Sequence, residues 1–290
     1  MKLNGQTNHG AGPAALDRSF SLNGSRMMSP SARRSVAKLI APLDELTRKS
    51  SSLLDINGPL LASGAGVAPV LPGYLHLGPQ GGDAPIRIGI FAGIHGDEPA
   101  GAYAAVKLLQ LLEQNPQLAQ GYCLMVYPVC NPFGFEQEVR ESRNGNDLNR
   151  EFWQGSTEPE VQWLENELRT RNFHGLISLH SDDTSHGLYG FAGGATLTKH
   201  LLEPALRAAE EYLPRNHDGI IDGFRAKSGI IKEGYPGILS APIGQKTKPF
   251  EVIFETPQNT PQYLQENAHL AAMLSVLAEY RRFISYGANL

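Results

Sequence analysis

The chain is poor in cysteine. Cys123 and Cys130 are the only two in 290 residues, which excludes a disulfide-stapled scaffold and fits a reducing compartment. Packing is the default use of both thiols, and only geometry decides whether they can pair. No apolar run approaches the roughly 20 residues of a transmembrane helix. The first ten residues lack the apolar stretch of a signal peptide, so the expectation is a cytoplasmic protein with no membrane partner. Positive charge is not in excess either: 25 Lys and Arg stand against 29 Asp and Glu, a formal charge of -4. Nucleic-acid binding normally shows as a basic face or stripe, and no nucleic-acid partner is expected. With 41% hydrophobic and 19% charged residues, the composition is that of a folded globular protein.

Residues 1–30 are rich in Gly, Ser, Asn and Pro without a sustained apolar period, and read as a flexible tail or arm. Residues 31–290 read as one domain. It starts with a helical segment in which Val36, Leu39, Ile40, Leu43 and Leu46 recur at helical spacing and Pro42 marks a kink or break. The basic residues Arg33, Arg34, Lys38, Arg48 and Lys49 are expected on its solvated face. Residues 67–77 contain Pro69, Pro72 and Gly73 and read as an edge strand or bent hairpin. Strands are expected over Ile86 to Ala92, Cys123 to Tyr127, Gly175 to Leu179 and Phe250 to Phe254. Helices are expected over Ala100 to Leu112, Leu197 to Tyr212 and Pro261 to Phe283, and another behind the capping-box pattern Thr157-Glu158-Pro159-Glu160. This alternation predicts an α/β fold: a mixed, mainly parallel central sheet flanked by helices. Ligand sites in such sheets lie at the carboxyl ends of the strands.

Chemistry-bearing residues gather at those ends. His95 and Glu98 follow the Ile86 to Ala92 strand three residues apart, close enough in a helical turn to share one ion. Catalytic zinc is often held by two His and one Glu with a fourth position open to water, and His180, after Leu176-Ile177-Ser178-Leu179, supplies the second histidine. Taken alone, a histidine after a strand is an ordinary polar loop residue; the combined pattern is what favours a metal. Glu255 follows Phe250 to Phe254 and is placed to accept a proton from an activated water and pass it to a leaving amine. Glu251, at the other end of the same run, reads as a surface residue. The loop from Arg140 to Phe152 is dense in hydrogen-bond donors. Arg143 and Arg150 suit two tasks there, gripping a carboxylate and stabilising an oxyanion; a salt-bridged surface loop is the alternative.

Four phrases, His95-Gly96-Asp97-Glu98, Asp147-Leu148-Asn149-Arg150 with Phe152, Leu179-His180-Ser181 and Phe254-Glu255-Thr256-Pro257, occur in the order seen in the zinc carboxypeptidase superfamily. From Ile86 to the last helix the chain resembles the bacterial carboxypeptidase A-like metallopeptidases, including the murein peptide amidase branch. Succinylglutamate desuccinylase and aspartoacylase are more distant relatives. The resemblance implies a three-layer sandwich with one zinc ion per chain held by His95, Glu98 and His180, and Glu255 as general base. It also implies that Arg143 polarises the scissile carbonyl, with Asn149 and Arg150 holding a substrate carboxylate. Tyr235, in Lys232-Glu233-Gly234-Tyr235-Pro236-Gly237, would be the active-site tyrosine, or else a tyrosine of the turn. The expected activity is hydrolysis of an amide bond next to a free carboxylate in a peptide or cell-wall peptide. An N-acyl amino acid deacylase is the first alternative, and an inactive carboxylate-binding zinc protein the second. Nothing in the sequence sets the oligomeric state.

Overall fold

The computed structural model describes residues 33–56, 71–80, 84–196, 198–245 and 247–287; the tail expected over residues 1–30 lies outside them, as do residues 67–70. The first helix, α1 (Val36–Thr47), is capped by Ser35, whose side chain accepts from the Lys38 amide. Pro42 sits inside α1 and does not end it. Helix α1 ends at Thr47, and Leu53–Asp55 is a strand, β1. Tyr74–Leu77 forms β2, Ile86–Ala92 β3, Pro99–Gln114 α2, Tyr122–Tyr127 β4 and Pro132–Gln137 α3. After a long loop come α4 (Pro159–Thr170), β5 (Gly175–Asp182), β6 (Tyr189–Gly194), α5 (Thr198–Ala209) and the short strands β7 (Ile220–Ile221), β8 (Phe224–Lys227) and β9 (Ile230–Ile231). The chain closes with β10 (Phe250–Pro257) and α6 (Gln262–Gly287).

The ten strands of the described residues form one sheet in the order β1-β2-β4-β3-β5-β10-β6-β9-β8-β7. Its central strands β4, β3, β5 and β10 are parallel, as expected of strands joined through helices. Toward the margins the pairings are antiparallel, apart from β6 with β9. The stretch expected as an edge strand or bent hairpin holds β2, which lies one strand in from the edge, between β1 and β4. Pro72 precedes it and takes no place in the ladder, so the proline penalty of an inner strand does not arise.

Alternation along the strands sorts the core into two layers. Ile88, Ile90 and Ala92 of β3, Ile177 and Leu179 of β5, and Val252 and Phe254 of β10 pack with α1, α2, α5 and α6. On the opposite face, Phe91, Met125 and Leu176 pack under Val161, Leu164 and Leu168 of α4. That helix covers the β4-β3-β5 half. Ser178 and His180 of β5 and Ile253 and Glu255 of β10 project from the same face beyond it, since side chains two apart share a face. This half of the sheet carries the site. Cys123 and Cys130 are both buried and unpaired, and among the described residues no helix is long and apolar enough to cross a membrane.

Gly96, in the turn between β3 and α2, lies against the backbone of Gly134 in α3 so closely that a Cβ would overlap it. Gly96→Ala is therefore expected to destabilise the fold by at least about 1 to 3 kcal/mol, the usual cost of overpacking. Urea unfolding checks it; an unchanged midpoint would contradict the close approach.

Candidate metal centre and active-site cavity

The turn after β3 delivers the first two candidate ligands, His95 and Glu98. Glu98 is the residue that caps α2, with Pro99 at the first helical position, so its carboxylate stands at the positive end of the helix dipole. His180 comes from β5 and sits directly beside Glu255 of β10 in the parallel register. His95, Glu98 and His180 are all buried, and one ligand atom from each lies within 4.8 Å of the others.

Hydrogen bonds fix which atoms face inward. His95 Nε2 lies 3.1 Å from Asp147 Oδ1, and His180 Nε2 lies 3.0 Å from Ser178 Oγ. These outer contacts turn both Nδ1 atoms toward the Glu98 carboxylate, at 2.6 Å for His95 and 3.1 Å for His180. Outer partners of this kind orient the histidines of metal sites. Arg140 Nη1 approaches Glu98 Oε1 and His95 Nδ1, each at 3.1 Å. The donor set therefore already draws a positive charge. Two imidazoles and one carboxylate, locked from outside and convergent within, fit a single zinc ion.

Charge around the cluster is strongly uneven. Burial alone would raise the Glu98 carboxyl, but His95 and His180 hold it well below the usual carboxylate range. Asp147 is held low by His95 and Arg140 against the same burial. Glu255 goes the other way: burial, then the negative charges of Glu98, Asp182 and Asp222, push it well above its ordinary value. It accepts no hydrogen bond from a described residue. Burial without a partner favours the uncharged carboxyl, and the group stands in the cavity wall.

The cavity, about 360 Å³, is lined by the three ligand residues and by Glu255, Asn149, Arg150 and Tyr235. Asn149 Oδ1 accepts from the Leu239 amide at 2.8 Å, leaving its amide nitrogen as donor. The Arg150 guanidinium lies over the Tyr235 ring, 4.1 Å from its centre, while the Tyr235 hydroxyl donates to Asp222 Oδ1 at 2.9 Å. Arg143 is not in this company. It is exposed, with its guanidinium on the Phe133 ring, and Arg140 lines the cavity instead.

The reason lies in the loop. Asn131 caps α3 and its amide nitrogen donates to the carbonyls of Arg140 and Glu141, turning Arg140 inward, where Asp147 receives its Nε and Nη2. The expected capping box is also not formed. Helix α4 starts after Glu158, which makes no cap bond; its buried carboxylate accepts from the side chains of Asn144 and Asn146 and so ties α4 to the arginine loop. Arg34, expected on a solvated helix face, donates to the Gly96 carbonyl at 2.7 Å and braces the turn that carries His95 and Glu98.

Residues 85–213 match the family model of the succinylglutamate desuccinylase/aspartoacylase catalytic domain. A candidate metallopeptidase from Shewanella denitrificans superposes with a TM-score of 0.65 at 22% identity, over 87% of this chain and 98% of that one. A metallo-carboxypeptidase from Burkholderia cenocepacia gives 0.61 at 15% identity, over 85% and 69%. The chain has a zinc carboxypeptidase-like fold. Bovine thrombin-activatable fibrinolysis inhibitor, solved with tick carboxypeptidase inhibitor, shares this fold at 16% identity and a TM-score of 0.61, over 86% and 98%. No curated protein matches the sequence. Within the carboxypeptidase-like fold, the matched segment 85–213 includes the ligand cluster and the arginine loop and ends before β10.

His180→Ala is expected to abolish stoichiometric zinc binding. Asp147→Ala, which removes only the outer partner of His95, is expected to weaken zinc binding about 10- to 100-fold. Competition with a chromogenic chelator measures both, and unaltered affinity in the Asp147 variant would show that His95 does not depend on that bond.

Proposed function

We propose that the protein is a zinc-dependent hydrolase that cleaves an amide bond next to a free carboxylate in a peptide or cell-wall peptide. One juxtaposition carries this reading: the His95, Glu98 and His180 cluster shares its cavity with the partnerless Glu255 carboxylate and the guanidinium groups of Arg140 and Arg150. Zinc held by the cluster would supply a Lewis acid, which polarises a carbonyl and lowers the pKa of water.

The protein's own groups account for the remaining steps. Glu255, lifted well above its ordinary value by burial and by its acidic neighbours, takes a proton from the attacking water and returns it to the leaving amine nitrogen. Arg140, held by Asp147 through Nε and Nη2, would turn Nη1 from Glu98 to the oxyanion that forms on the scissile carbonyl. Arg150 and the Asn149 amide nitrogen hold the substrate carboxylate through charge-assisted hydrogen bonds. Tyr235 supports the Arg150 guanidinium with its ring.

A second reading, N-acyl amino acid deacylation, is favoured by the family-model match over residues 85–213. Charge argues for the peptide. Asp97, Asp182, Asp183 and Asp222 line the cavity beside only two arginines, an environment poor for a substrate with several carboxylates. An inactive carboxylate-binding protein would have no use for a partnerless, buried Glu255. The two unpaired thiols support a cytoplasmic location.

Glu255→Gln keeps shape and hydrogen bonding but cannot take the proton. It should retain zinc while turnover falls by roughly two powers of ten or more; near-normal turnover in the folded, zinc-loaded variant would remove Glu255 from the reaction. Arg150→Ala should weaken kcat/KM about 10- to 100-fold for peptides with a free C-terminus and far less for their amides. Equal losses would make the loop's role structural. Running C-terminal residue release beside N-acyl amino acid hydrolysis separates the two readings.

A further inference from the structure

Just past the arginine loop, the backbone of Trp153 turns into the left-handed region, at a φ of 61°. A bulky side chain is strained there, and the conformation persists only where the surroundings over-determine it. Three contacts do so. The Trp153 amide donates to Glu165 Oε1 of α4 at 2.6 Å, and Glu165 is buried. The indole Nε1 donates at 3.1 Å to the carbonyl of Ser240, in the segment that leads to β10. Arg169 of α4 lies over the indole, 4.9 Å from the ring centre, and donates to Glu165 Oε2 at 3.0 Å. One residue thus ties α4 to a segment 87 positions further along the chain.

That segment meets the arginine loop along a seam. The Phe152 amide donates to the Gly237 carbonyl at 3.0 Å, and the Leu239 amide to Asn149 Oδ1 at 2.8 Å. Gly237 has a positive φ, and a Cβ there would overlap the Arg150 carbonyl, so the two backbones touch beside the groups assigned to the substrate carboxylate. Two residues before Gly237, Tyr235 sets its ring against the Arg150 guanidinium. Asn149 and Arg150 therefore take their direction from residues 235–240, and the Trp153 indole closes the seam at its Ser240 end.

We propose that Trp153 is a positioning residue for the carboxylate clamp: its strained turn and its indole hold residues 237–240 against the arginine loop, which sets Asn149, Arg150 and Tyr235 for a substrate with a free carboxylate. The inference rests on the clamp reading above. Trp153 does not line the active-site cavity, so it acts through the seam and not by touching the substrate.

Two variants separate this role from packing. Trp153→Phe keeps an aromatic face for Arg169 but has no Nε1–H, and Trp153→Gly removes the side chain together with the strain. Hydrogen exchange on the full chain, without substrate, reads the seam at the amides of Phe152 and Leu239. Both are expected to exchange about five- to tenfold faster in Trp153→Phe, the equivalent of one lost hydrogen bond, while the amides of β3 are unchanged. Kinetics of the zinc-loaded protein on a panel of N-acetyl dipeptides and their C-terminal amides read the clamp. KM for the free acids should rise about five- to tenfold in Trp153→Phe, with kcat and the KM for the amides nearly unmoved, and Trp153→Gly should lose at least as much despite its relaxed backbone. Unchanged exchange at Phe152 and Leu239, or a KM that rises equally for acids and amides, would overturn the proposal. A wild type that does not prefer the acids removes the clamp reading and this inference with it. A wild type that prefers them, with variants that keep the preference, removes only the role of Trp153.

Discussion

A carboxylate buried among imidazoles is the constraint on which this structure turns. Glu98 accepts from, or faces, His95, His180, Arg140 and the Ser181 amide. These partners come from the turn after β3, from β5 and from the arginine loop. Removing such a charge from water costs several kcal/mol unless it is compensated, so segments distant in sequence are drawn to one point. The outer contacts also orient the rings: with Asp147 and Ser178 at the two Nε2 atoms, both Nδ1 atoms face the cluster.

The uneven cover of the sheet makes room for that point. Four helices close one face, and α4 closes only part of the other. The exposed half is floored by residues that strand alternation places in line: His180 beside Glu255, and Ile253 and Glu251 behind. A single stretch of β10 thus lines the open face with Glu255 at its carboxyl end and Glu251 toward its start. Beneath this floor, Ser181, Thr256 and Gln265 are hydrogen-bonded to one another, joining β5 and β10 to α6 and holding the two functional strands in register.

Much of this was legible in the sequence where periodicity and polarity agree. The continuous apolar run gave β3 its bounds, and the ligand phrases fell at the carboxyl ends of β3, β5 and β10. Legibility failed where polar residues continue a strand: β5 runs through His180 to Asp182 because its polar end pairs with Glu255, Thr256 and Pro257, and such residues read as loop. Strand β6 is glycine-bearing, β7 and β9 are two residues long, and β8 (Phe224–Lys227) is charged, so none carries a sustained apolar run. Pro42 reads as a helix break but is tolerated in α1. The choice between Arg140 and Arg143 was beyond spacing. It depends on Asn131, whose place before Pro132 is a helix-cap signal but whose contacts to residues 140 and 141 are tertiary. Glu251 looked like a surface acid because no local pattern reveals that the 232–241 segment folds over it.

The central claim is that His95, Glu98 and His180 hold one zinc ion while Glu255 stands beside it without coordinating. Anomalous diffraction at the zinc edge, from crystals of the full chain grown with zinc, tests this directly. The expected map has one strong peak bonded to Nδ1 of His95, Nδ1 of His180 and the Glu98 carboxylate, with Glu255 outside bonding distance. A peak elsewhere, or one with Glu255 in place of any of the three, would contradict it.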